Sequence, residues 1–352
     1  MRPSLGRRPS SACCRPEFTW TQEVRGTAHA GGAPARPDRS PYAQQQPYTF
    51  AVIGDVPYGE AAQAHFPTFI AGINADPDVR QVTHLGDIKS GSTTCDDARF
   101  ATIRRDFDLF ADPLHYTPGD NEWTDCHRAN NGAYQSLERL ATIRSLFFSP
   151  ADRTQGHPEP VRTQADRGVP ENQRWTAGGL SFATLHVVGS NDDLAPWTGV
   201  GQTSPTAAQV ADERQRMSAA IANVKAAFAD ARTHQRRAVV LQQQTDMFDP
   251  TVTDPQLSDY SAFKPLVQTL IEESRRFRGQ VYLFNGDSHR FNQDRPLAAG
   301  SPWLSFYGVK GHADGLRRVT VDGSDLGEAD WLKVTTHPRG REVLGFEQVP
   351  GA

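Results

Sequence analysis

No stretch of the 352 residues approaches the roughly 18 consecutive apolar residues that a membrane helix needs, which excludes a helical span. Basic blocks are missing too. The 37 Lys and Arg stand against 41 Asp and Glu, the formal net charge is -4, and no arginine run is interleaved with aromatics, so a nucleic-acid partner is not indicated. Arg7-Arg8 has the look of a twin-arginine signal, yet no apolar h-region follows it, and the sequence as written holds no working signal peptide. Residues 1–46, rich in Arg, Pro, Ser, Gly and Ala, are expected to be a disordered leader, either a vestigial targeting segment or the product of a mis-assigned start. Cysteine is scarce, with four in all. Cys13 and Cys14 fall in the leader. Cys95 and Cys126 each follow a Gly-Asp pair by a few residues, and they form a disulfide if their loops are neighbours or two free thiols if not. A disulfide would favour an extracytoplasmic location, periplasmic or secreted; the cytoplasm is the alternative.

What the chain does have is a repeated punctuation. Apolar β-type runs stop at Gly-Asp four times, delivering Asp55, Asp87, Asp120 and Asp287 where a strand ends. In an open α/β sheet ligands gather outside the carboxyl ends of the strands, so four carboxylates from distant positions can converge on one polyvalent cation site. A single Gly-Asp is more often a turn capping its own backbone. Four of them around one alternating pattern point to chemistry.

Strands are expected at 48–54, 79–86, 114–117, 174–177, 180–188, 238–241 and 280–284. Gly178-Gly179 is read as the tight turn of a hairpin. Helices are expected at 61–74, with Pro67 early in it or breaking it, after Asp96-Asp97, at 137–147, at 207–233 and at 263–277. Residues 149–172, aperiodic and rich in Pro, Gly, Arg and Asp, are read as a long loop. Beyond them, 303–309, 316–321, 331–335 and 342–348 read as β segments that would build a second sheet on the first. Residues 47–350 are taken as one domain.

Asp and His at strand ends, with an Asn nearby, suit a hard or borderline divalent metal. In this order the blocks AVIGD, HLGDIK, GDNEW, the polar strand end Gln242-Gln243-Gln244, and NGDSHR resemble the calcineurin-like metallophosphoesterases. The family's corresponding blocks read D-x-H, G-D-x-x, G-N-H-[DE], a strand-end His, and G-H-x-H. The resemblance covers roughly residues 48–291 and implies an α/β fold, an α/β/β/α sandwich of two central mixed sheets flanked by helices. It implies a hydrolase acting on phosphoric esters through a water activated between two metal ions, with a phosphorylated small molecule or other phosphoester as substrate.

Carried over by position, Asp55 would bind the first metal, Asp87 would bridge both, and His289 would complete the first site. Asp120 stands where the family has its Asn ligand, Asn121 where it has the catalytic His, Gln243 or Gln244 at the strand-end His, and Asp287 at the first His of the last block. Gln244 is taken as the ligand of that pair. Pro57 replaces the His of the first block, with Tyr58 beside it. Carboxylates and amides in place of imidazoles favour Mn, Mg or Ca over Zn, with Fe also admitted. With Asn121 in the catalytic His position, leaving-group protonation is expected from His127 or from a metal-bound water. Around these, Tyr58, Lys89, Glu122, Gln243 and Arg290 are expected to support the site, Lys89 and Arg290 as candidates to hold phosphate oxygens. His84 and His115, inside strands, are read as core histidines, and Trp123 as packing. The missing imidazoles support a second reading, a catalytically weak or inactive metal- or ligand-binding module on the same fold.

Overall fold

The computed structural model describes residues 46–324 and 329–351; the leader at 1–45, with Cys13 and Cys14, lies outside the described residues. Two mixed sheets lie at the centre. The first runs β13–β12–β1–β2–β3–β4, where β1 is Thr49–Ile53, β2 Val79–His84, β3 Pro113–Tyr116, β4 Gln155–Gly156, β12 Trp331–Thr336 and β13 Leu344–Val349. The second runs β10–β11–β9–β8–β7–β6–β5, with β5 Arg162–Gln164, β6 Val169–Ala177, β7 Leu180–Thr184, β8 Ala238–Gln242, β9 Gln280–Asn285, β10 Asn292–Asp294 and β11 Leu316–Thr320. Within each sheet three consecutive strands, β1–β2–β3 and β7–β8–β9, are parallel. Their carboxyl ends therefore open on one side.

Three apolar clusters make the layers. Phe50, Val52, Phe182, Val240 and Phe284 fill the space between the sheets, with Phe50 and Phe182 edge to face at 5.3 Å. Helices α1 (Gly59–Asn74), α2 (Asp97–Phe107) and α3 (Ser136–Phe147) cover the outer face of the first sheet through Phe66, Ile70, Phe100, Ile103 and Ile143. Helices α4 (Ala207–Thr233), α5 (Lys264–Arg275) and α6 (Pro302–Tyr307) cover the second. The result is an α/β/β/α sandwich. The helix starts follow local chemistry: the Asp96 side chain accepts the Arg99 N–H, and Thr206 with Gln209 forms a capping box at α4. The hairpin at Gly178-Gly179 is also present, both glycines having positive φ, with Ala177 opposite Leu180.

Four expectations need correction. Pro67 neither starts nor breaks its helix; α1 carries it on its exposed side, where water can serve the carbonyl it leaves without a donor. Residues 149–172 are not a structureless loop, because β4, β5 and the start of β6 lie there, each too short to show a period. Residues 303–309 are not a strand: Ser301 caps the short helix α6, Pro302 sits in its first turn, and the aromatic run that looked β-like packs Tyr307 into the core. The late strands do not form the second sheet by themselves. β11 joins β9, while β12 and β13 extend the first sheet beside β1.

Candidate metal centre

Each acid of the four Gly-Asp pairs sits just past a parallel strand, Asp55 after β1, Asp87 after β2, Asp120 after β3 and Asp287 after β9, so the topology gathers them at one edge of the sandwich. The glycines have a specific use: a Cβ on Gly119 would collide with the Asp87 carboxylate, and one on Gly286 with that of Asp55. The Gly preceding one acid thus makes room for another. Asp55, Asp87, Asp287 and His289 all hold left-handed φ of 56 to 71°. Non-glycine residues in that region are strained, and such strain gathers where a site imposes it.

Among the described residues two sets of ligand atoms lie within 4.8 Å of one another: Asp55, Asp87 and His289, and Asp87, Asp120 and Asp287. Asp87 belongs to both. His289 Nε2 is 3.2 Å from Asp55 Oδ1, and both Asp55 oxygens accept the Asp287 N–H, at 3.1 and 3.2 Å. The Tyr58 hydroxyl sits among them, 3.2 Å from Asp87 Oδ2, 3.4 Å from Asp55 Oδ1 and 3.3 Å from His289 Nε2. Asn121 donates its N–H to Asp87 Oδ1 at 3.1 Å and its Nδ2 to Asp87 Oδ2 at 2.8 Å and to the Tyr58 hydroxyl at 3.0 Å.

The electrostatics fit a cation. Burial, and then Asp120, Glu122, Asp55 and Asp287, push the Asp87 carboxyl well above the usual range. Burial and Asp120 do the same at Asp287, and burial raises Asp120. Buried anions this close cannot all ionise without positive charge among them. The oxygen-rich donor set with one imidazole suits hard divalent ions better than zinc.

No protein-family model matches the chain, and no curated protein matches it. Among solved structures it is similar to GAP50, "the anchor in the inner membrane complex of Plasmodium", at 10% identity over 88% of this chain and 90% of that chain, with a TM-score of 0.45. A likeness that weak says nothing of activity.

The surrounding residues divide. Gln244 lies against the carboxylates, but it turns its nitrogen toward them: Nε2 donates to Asp120 and Asp287 at 3.1 Å and to Asp87 at 3.3 Å, while Oε1 accepts the Gly189 N–H at 2.8 Å. As placed, its nitrogen rather than its oxygen faces the acids. Gln243 points its Nε2 to the Thr245 carbonyl. Glu122 holds the turn, accepting from Gly119 N–H at 2.7 Å and from the Tyr116 hydroxyl at 2.8 Å. Lys89 is fully buried with its Nζ on the Ser90 and Asn121 carbonyls, at 2.9 and 2.6 Å, so it braces the loop and offers nothing to a substrate; burial pulls its ammonium down to about 8. Arg290 is exposed just past His289. His127 lies in the loop after β3. Its Nδ1 accepts the Gly199 N–H at 3.1 Å, and no described hydrogen bond joins it to the carboxylates. Cys95 and Cys126 form a disulfide that ties the loops after β2 and β3. His84 and His115 are buried core residues, as expected. Trp123, with the Arg216 guanidinium 4.9 Å above its ring, is packing.

Sequence reasoning missed Ser190. Residues Ser190 to Asp193 form a left-handed turn after β7, with φ of 53 to 70°. Ser190 Oγ there donates to Asp120 Oδ2 at 3.0 Å and lies 3.2 Å from Asp125 Oδ1. The signal was present in the run Ser-Asn-Asp-Asp, whose last three residues tolerate the left-handed region better than most.

Proposed function

We propose that the protein is a metal-dependent phosphoesterase, a phosphatase or phosphodiesterase, working at a binuclear centre. The observation that supports this is the pair of ligand sets that share Asp87, a buried carboxylate. Asp55 and His289 would hold one divalent ion, Asp120 and Asp287 the other, with Mn, Mg or Ca suited to the oxygen donors. Two such ions supply Lewis-acid polarisation of the phosphoryl group and a water of lowered pKa. The chain's own residues do the positioning. Gln244 fixes the rotamers of three carboxylates by one amide, and Asn121 fixes Asp87 through two hydrogen bonds. Tyr58, whose phenol is driven well above its ordinary pKa by burial and by Asp87 and Asp55, stays protonated as a donor at the mouth of the first site.

The test is elemental analysis of protein purified without chelator or nickel resin, paired with turnover of an aryl phosphate under added Mn or Mg. About two ions per chain, with ions and turnover both lost in Asp87→Asn, is the expected result. Turnover that survives Asp87→Asn would sink the bridged mechanism. A second reading rests on one observation: Asn121, an amide that cannot donate a proton to a leaving group, occupies the expected catalytic His position, and His289 is the sole imidazole in the two ligand sets. Two ions bound with no hydrolysis of mono- or diester would favour this binding-module reading.

A further inference from the structure

At the amino ends of the parallel strands, opposite the aspartates, the sandwich opens into a cavity of about 870 Å³. Tyr48 before β1, Gln81 of β2 and Pro113 of β3 line one wall; Trp175 of β6, Ser181 of β7 and the last turns of α4 line the other. Its charge is one-sided. Arg80, Arg162, Arg174 and Arg236 line it against Glu159 and Asp230, and Asp230 is already taken by His234 at 3.0 Å and Arg236 at 3.7 Å. Among the described residues no acid pairs with Arg80, Arg162 or Arg174.

Two of these arginines are forced together by the sheet. Arg162 and Arg174 stand directly opposite in the antiparallel ladder of β5 and β6. Like charges at that position repel. The partner that Arg174 does have, Asn223 Oδ1 at 3.0 Å, positions its guanidinium without neutralising it. Burial and then the neighbouring Arg162 lower the Arg174 pKa, and Asp230 offsets part of this without forming an ion pair to it. A second loose end lies on the cavity wall. Gln81 is 2% exposed; its Oε1 accepts from the Tyr48 hydroxyl and from Trp175 Nε1, both at 2.9 Å, and its Nε2 has no partner. A buried amide donor without an acceptor is costly in a native protein.

We propose that this cavity is a binding site for a small polyanion, whose charge falls between Arg162 and Arg174. Planar guanidinium forks recognise phosphate and carboxylate oxygens in pairs, and the volume suits a metabolite-sized ligand. The site is separate from the carboxylate centre and stands whether or not that centre hydrolyses anything.

The experiment is calorimetric titration of chelator-stripped, desalted protein with pyrophosphate at low ionic strength, a citrate arm, and a chloride control of matched ionic strength. Pyrophosphate or citrate is expected to bind where chloride does not, the preferred arm telling a phosphate-bearing from a polycarboxylate ligand. Arg162→Gln and Arg174→Gln should each weaken binding about 10-fold, Arg162→Lys less, and Asp87→Asn not at all. Arg80→Gln, on the facing sheet, is the second variant should either β-ladder change impair folding. Absence of polyanion binding, binding indifferent to the arginine substitutions, or binding lost in Asp87→Asn would each overturn the proposal.

Discussion

At the carboxyl ends of the parallel strands Asp55, Asp87, Asp120 and Asp287 crowd together, whereas at the cavity on the opposite edge Arg162 of β5 and Arg174 of β6 face each other across an antiparallel ladder. Both ends gather like charge, but they differ in depth. Asp55, Asp87 and Asp120 are buried and Asp287 is partly so, which leaves little water to screen their charge; the arginines border an open cavity, where water and salt blunt the repulsion. The comparison teaches that like charge gathered in burial calls for a tightly held counter-charge, whereas like charge beside an open cavity can be met from solvent.

Breaking the acidic end should have the largest effect. Asp87→Asn is expected to lower aryl phosphate turnover at least about 100-fold and to remove both ions, read by kinetics and elemental analysis on the same preparation. Next is the clamp behind that end. Cys95→Ser opens a disulfide spanning 31 residues and should cost about 3 to 4 kcal/mol, measured as a shift in denaturant midpoint at constant slope.

Metal removal sharpens the comparison through pH. In the folded, metal-free state Asp87 and Asp287 hold their protons to higher pH than in the unfolded chain, where an ordinary aspartate titrates near about 4. Their contribution is therefore intact below about pH 4 and lost as pH rises through the raised folded values. Chelated protein should have a lower melting temperature at pH 8 than at pH 5, and added Mn should remove that decline; a flat profile under chelator would count against the buried-anion picture. Glu171 runs the other way. Burial alone would raise it, but the Arg144 guanidinium and His186 hold it down to about 2, so its contribution is present above about pH 4.5 and lost as pH falls toward 2. Glu171→Gln should flatten that acid limb.

The smallest effect belongs to the basic end. Arg162→Glu turns a like-charged cross-strand pair into an opposite one and should stabilise the ligand-free protein by about 0.2 to 1 kcal/mol, seen as a small rise in denaturant midpoint that shrinks with salt.

The sequence by itself determined the elements whose signal is local. Gly-Asp after an apolar run marked four strand ends, Gly178-Gly179 marked the hairpin, and the helical reading of 207–233 marked α4 with both ends in place, because periodicity, turn conformation and capping act over a few residues. Residue types sufficed to nominate the acids. Only the tertiary structure decided what depends on residues distant in sequence: that Gln244 presents nitrogen to three carboxylates because the Gly189 N–H claims its oxygen, that His127 Nδ1 accepts the Gly199 N–H, and that Lys89 is sealed beneath Asn121. It also decided that Arg162 meets Arg174, a pairing fixed by strand register. Hydrogen-bond direction and register are properties of packed neighbours, and no single segment encodes its neighbour.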